Sequence, residues 1–125
     1  MARIDKRPLR AAFLEMRKHG ILAEGEWTCC LSCGVAEMQE VADRYPKGRT
    51  PIGYCFYHGQ DTDSLEETGT TMLAFGSLCK ISDVEVGRIA VECLNRAGVS
   101  TVWSGSERQR IQFTLPRRRN ERTMA

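Results

Sequence analysis

The sequence predicts an α+β fold: a single domain in which a mostly antiparallel sheet of four to five strands packs with about three helices. Three observations point there. The chain has 125 residues, one domain's length. Its composition, 42% hydrophobic and 27% charged, is ordinary for a globular chain. Helical and strand-like patterns also alternate along it, in the order αβαβ(α)βαββ.

The first helix starts near Pro8, whose fixed φ suits a first helical turn, and presents Leu9, Ala12, Phe13 and Met16 on one face. Gly20 stops it. A strand-like stretch over 21–27 leads to a cysteine cluster. Ser32 is placed to cap a second helix whose face is Val35, Met38, Ala42 and Tyr45, ending at Pro46. Residues 52–58 are aromatic-rich and read as a strand. Strand parity puts Tyr54, Phe56 and His58 on one face, and Cys55 and Tyr57 on the other. A short helix is expected over 61–67, with Asp63 and Glu66 at capping-box spacing, then a central strand over 70–75. Ser82 and Glu85 form a capping box for a helix burying Val86, Ile89, Ala90, Cys93 and Leu94, closed by Gly98. Residues 101–104 and 109–114 read as a hairpin with Ile111 and Phe113 pointing inward.

Net charge is +2, an average over unlike parts. Residues 1–18 and 107–125 each carry six basic and two acidic side chains, whereas 19–106 carry six basic and twelve acidic ones. The body is acidic and the ends are basic. The chain reads as a domain over 1–115 with a disordered basic tail over 116–125. Arg117, Arg118, Arg119 and Arg122 of that tail suit salt-sensitive contact with phosphates. No aromatics are interleaved for base stacking, and the acidic body repels a polyanion. Nucleic acid is therefore a weaker expectation than a protein partner. No apolar run is long enough for a membrane span, and no signal-peptide core follows the early charges, which predicts a cytoplasmic protein.

In a reducing compartment the six cysteines read as thiols or metal ligands rather than disulfides. Cys29, Cys30 and Cys33 lie within five positions, and zinc takes such thiolates in four-ligand sites. The fourth ligand has to come from Cys55, His58, Cys79 or Cys93. His58 is favoured because it ends a strand beside Gln60, Asp61, Thr62 and Asp63. Cys93 falls on an apolar helical stripe and reads as core. A second reading makes Cys33 or Cys30 a nucleophile, with His58 as base and Asp61 as its orienter. A third, a redox C-x-x-C of Cys30 and Cys33, expects a βαβ context that the pattern does not offer. The plain alternative is that the thiols are small buried hydrophobes. Residues 61–67 do not make a calcium loop, since Leu65 stands where an oxygen ligand is needed.

The chain resembles a family of small bacterial and phage domains of unknown function. The resemblance rests on Trp27, Cys29, Cys30, Cys33, Gly34, Ala36 and Glu37; on Tyr54, Phe56, Tyr57, His58, Gln60, Asp61 and Thr62; and on Trp103, Gly105, Arg110 and Ile111. It implies a common α+β domain and treats the cysteine cluster and His58-x-Gln60-Asp61 as one site. The arginine-rich extension after Leu115 departs from the pattern. The reading that follows is a small cytoplasmic protein-interaction module of bacterial or phage origin. Its Cys/His site is structural or zinc-bearing, and it binds a protein partner, with inhibition of a host complex as one form. The rivals are the cysteine enzyme and a nucleic-acid-associated protein.

Overall fold

In a computed structural model, residues 4–25, 31–45, 51–57, 59–79 and 81–116 are described, the side chains of 31–34 and 59–61 excepted. The elements are α1 (Arg7–Lys18), β1 (Ile21–Glu24), α2 (Leu31–Asp43), β2 (Gly53–Phe56), α3 (Gly59–Thr68), β3 (Thr70–Ser77), α4 (Asp83–Arg96), β4 (Ser100–Val102) and β5 (Ile111–Thr114). Their order is the one the sequence pattern predicts. The strands form one sheet in the order β1-β2-β3-β5-β4. Three of its pairings are antiparallel, and β1 runs parallel to β2.

Strand parity divides the interior. Ile21, Ala23, Cys55, Tyr57, Leu73, Ile111 and Phe113 point into a main core with Leu9, Ala12, Phe13 and Met16 of α1 and Val86, Ala90, Cys93 and Leu94 of α4. The opposite face carries a smaller cluster, in which Met38 of α2 packs with Phe56, Ala74, Leu22 and Tyr54. α1 and α4 thus lie on one side of the sheet and α2 on the other. Leu65 of α3 joins the main core.

Local chemistry sets the helix ends. The Ser82 hydroxyl accepts from the Glu85 backbone N–H at 3.1 Å, as the capping box requires. Gly20 and Gly98 adopt positive φ just past α1 and α4, where any side chain is strained. Three expectations are corrected. Ser32 lies inside α2 rather than capping it, and α3 starts at Gly59, which puts Asp63 within the helix instead of at its cap. On α2 only Met38 and Ala42 of the expected face are buried; Val35 and Tyr45 are 39% and 42% exposed. That helix covers only part of its side of the sheet, so a narrower stripe than the periodicity suggested suffices.

Candidate functional site

Because β1 and β2 are parallel, with Glu24 in register with Phe56, their carboxyl ends lie at the same end of the sheet. The chain leaves β1 through Gly25 and returns as α2 at Leu31; it leaves β2 through Tyr57 and returns as α3 at Gly59. α2 packs on one face, and α3 buries Leu65 in the core of the other. In sheets of this kind a crevice beyond two parallel strands whose connections diverge is a recurrent ligand site. β1-α2-β2 is also a βαβ unit, which the sequence pattern had not offered. Its first strand is at the edge of the sheet.

The aromatic packing at this end is tight. The Tyr57 ring lies 6.4 Å from that of Phe13 and 6.1 Å from that of Phe113, centroid to centroid. A Cβ at residue 25 would stand 2.6 Å from the Tyr57 hydroxyl oxygen, so glycine lets the strand leave the sheet against this ring.

Of the sequence-predicted site residues, Cys29, Cys30 and His58 lie outside the described residues, as do Arg117, Arg118, Arg119 and Arg122. Cys33 is the third residue of α2 and Asp61 the third of α3, so each occupies the first turn of a helix that opens at the same end of the sheet. Unpaired backbone N–H groups in such turns favour negative charge. Among the described residues no group of three or more His, Cys, Asp or Glu side chains is placed to hold a metal ion.

The other thiols can be assigned by position. Cys55 is fully buried in the main core, on the sheet face away from α2. Burial, with a smaller effect from nearby Cys93, pushes its thiol far above the ordinary range. Cys93 shares that core and is shifted the same way, chiefly by burial. Cys79 is exposed and its Sγ lies 3.5 Å from the Ile52 carbonyl oxygen, at the amino end of β2. Cys55 is one residue short of the carboxyl end of β2, but its side chain is sealed in the core. The chain on either side of His58, Tyr57 and Gly59, lies just beyond that end.

A feature that the residue-by-residue reading missed is a pocket of about 200 Å³ between α2 and the β4–β5 loop, lined by Val35, Tyr54, Ala74, Phe75, Glu107, Arg108, Gln109 and Arg110. Trp103 holds the loop. Its Nε1 donates to the Ser106 and Gln109 carbonyl oxygens, each at 3.1 Å, and its ring meets that of Phe75 edge-on at 5.3 Å. The Ser104 hydroxyl lies 2.6 Å from Gln109 Oε1. The W-x-G-x4-R-I block is therefore a loop-holding device, with Ile111 fully buried and Arg110 at the pocket. No local sequence signal marks the pocket, because its lining comes from α2, β2, β3 and the β4–β5 loop.

At the amino-terminal end, Arg17 Nη2 donates to the Ala23 carbonyl oxygen at 2.7 Å and lies 3.6 Å from Glu24. Lys18 sits 3.4 Å from Glu15. Part of this basic segment therefore ties α1 to β1 and to its own helix. No helix among the described residues is long and apolar enough to cross a membrane.

The fold is a small α+β domain with a mixed sheet, and β1 and β2 are its parallel pair among the described residues. The chain belongs to the family described as a domain of unknown function (DUF6891), whose model matches residues 2–119. The match extends to residue 119 and so includes Arg117, Arg118 and Arg119 at the start of the basic extension. No curated protein and no solved structure matches the chain.

Proposed function

We propose that the protein is a small binding module in which Cys29, Cys30, Cys33 and His58 hold one zinc ion beyond the carboxyl ends of β1 and β2, shaping a surface for a protein partner. The observation that carries this reading is the parallel pairing of β1 and β2. It brings the chain on either side of both motif segments to one end of the sheet. Three thiolates and one imidazole complete a closed tetrahedral structural site. A reducing intracellular setting, bacterial or phage, suits thiols kept as ligands rather than disulfides. Masking a host complex is the form that binding takes if the chain is phage-encoded.

Metal analysis of protein purified without added zinc tests the site. About one equivalent per chain is expected, reduced in Cys33→Ser and His58→Ala. Folded, metal-free wild type overturns the zinc assignment. Affinity capture from the source cell tests the partner, a stoichiometric companion being the expected result.

The placement of Cys33 and Asp61 in the first turns of two helices at one end of the sheet favours a second reading. In it Cys33 or Cys30 is a thiolate nucleophile assisted by His58, with Asp61 orienting the imidazole. Alkylation rates against pH separate the two readings. The nucleophile reading expects one fast thiol that slows in His58→Ala, and uniformly slow labelling excludes it.

A further inference from the structure

The central strand β3 is paired in two halves. Residues 70–73 pair with β5, and residues 74–77 pair with β2 on the other side. Continued two residues further, the β5 register would set Gln109 opposite Phe75, but β5 starts at Ile111.

Main-chain groups alternate sides along an antiparallel strand. On the β5 side, the Gly69 carbonyl accepts from Leu115 N–H at 2.8 Å, and Ser77 N–H donates to Asp83 Oδ1 at 2.7 Å. The intervening odd-numbered residues share that side, so the N–H and C=O of Phe75 face away from β2. The described residues place no strand opposite them, and Phe75 lines the pocket.

Three kinds of recognition group therefore converge. A main-chain edge with no strand opposite it among the described residues stands at Phe75. Apolar surface comes from Val35, Ala74 and Tyr54, and the exposed Arg108 supplies positive charge at the rim. Arg108 is exposed and makes no ion pair among the described residues. The loop carrying it is held by the Trp103 and Ser104 hydrogen bonds, which limits the ordering cost of binding. The volume of about 200 Å³ equals that of roughly seven liquid waters. That is space for one terminal residue, not for a large cofactor.

We propose that this pocket binds the free carboxyl end of an extended polypeptide. A main-chain amide of the ligand adds to the edge at Phe75, its last, small apolar side chain lies on Val35, Ala74 and Tyr54, and its carboxylate meets Arg108. Edge pairing supplies affinity, and the side-chain wall with the charged rim supplies selectivity. The proposal rests on the binding-module reading for its class of partner, but uses none of the Cys/His residues.

The test follows the Phe75, Arg108 and Gln109 amides of the isotopically labelled full chain by NMR. The probe is N-acetyl-Ala-Ala-Val with a free carboxylate, and the controls are its carboxamide and sodium acetate. The acid is expected to shift these amides and saturate in the millimolar range. The carboxamide should bind about ten-fold or more weakly, and Arg108→Glu should weaken the acid by a similar factor. Val35→Trp, which fills the pocket from a partly exposed helix position, should abolish binding. No shift at Phe75 up to about 10 mM peptide, equal affinity for acid and carboxamide, or an unchanged Arg108→Glu affinity overturns the proposal. Acetate reproducing the full effect overturns it too, since the occupant is then a free carboxylate. Zinc content, measured on the same samples, reports separately on the Cys/His site: a metal-free chain that binds the peptide overturns the zinc assignment and leaves this proposal standing.

Discussion

Tyr54 of β2 and Gly76 of β3 are cross-strand partners, and the Tyr54 ring covers the glycine so closely that a Cβ there would stand 2.5 Å from Cζ and 2.7 Å from Cε2. An aromatic side chain laid over a strand glycine replaces the packing that glycine lacks. Gly76→Ala is therefore expected to destabilise the protein by about 1–3 kcal/mol, the usual cost of overpacking. In a Tyr54→Ala background the same change should cost much less. Urea unfolding of the four proteins in this cycle measures the coupling, and additive effects would show that the ring is not the obstacle.

The Ser82 cap is a local element with a local cost. Ser82→Ala removes the hydroxyl that accepts from Glu85 N–H, and a loss of about 1 kcal/mol is expected. Ser82→Asp should retain most of the stability. Thermal midpoints of the three proteins give the comparison.

Cys55 makes stability depend on alkaline pH. In the folded protein burial holds its thiol pKa well above the ordinary value, while the unfolded chain exposes a thiol titrating near about 8.5. The unfolded state thus loses a proton that the folded state keeps. The contribution is whole below that unfolded value and falls as pH rises through it, by up to about 1.4 kcal/mol per pH unit. Tyr54 and Cys93 are shifted in the same direction, each mainly by burial. Cys55→Ala should therefore reduce the slope without flattening it. Unfolding free energies at pH values from about 7.5 to 10 check this, and equal slopes in both proteins would contradict the burial argument.

Trp103→Phe keeps an aromatic ring against Phe75 but loses the Nε1 donor to Ser106 and Gln109. A stability loss of about 1 kcal/mol is expected from the loss of this one bifurcated donor. Faster amide exchange should be confined to residues 104–110. Unchanged exchange there would mean that the loop is held by other contacts.

Element order was legible from the sequence because each helix and strand carries its own periodicity and punctuation. Leu9, Ala12, Phe13 and Met16 all go to the core, and the split of Tyr54 and Phe56 from Cys55 follows strand parity. The parallel pairing of β1 and β2 was not legible, since it depends on where α2 crosses rather than on any local signal. The same gap hid the βαβ unit. The starts of α2 and α3 were misplaced for a different reason: polar residues such as Ser32 and Asp63 suit both a cap and a first turn. Of the candidate site the sequence offers residue types, Cys29, Cys30, Cys33, His58 and Asp61, while the backbone places Cys33 and Asp61 in the first turns of α2 and α3. The pocket was not legible, because Val35, Tyr54 and Arg108 lie far apart in the chain and meet only through the fold.

The divided pairing of β3 also bears on how the molecule comes apart. One ladder joins residues 74–77 to β2 and the other joins residues 70–73 to β5, so the sheet consists of two hydrogen-bonded ladders spliced end to end on a shared strand. Opening one ladder need not break the hydrogen bonds of the other. Slow-exchanging amides should then fall into two classes with separate opening free energies, the boundary lying between Leu73 and Ala74.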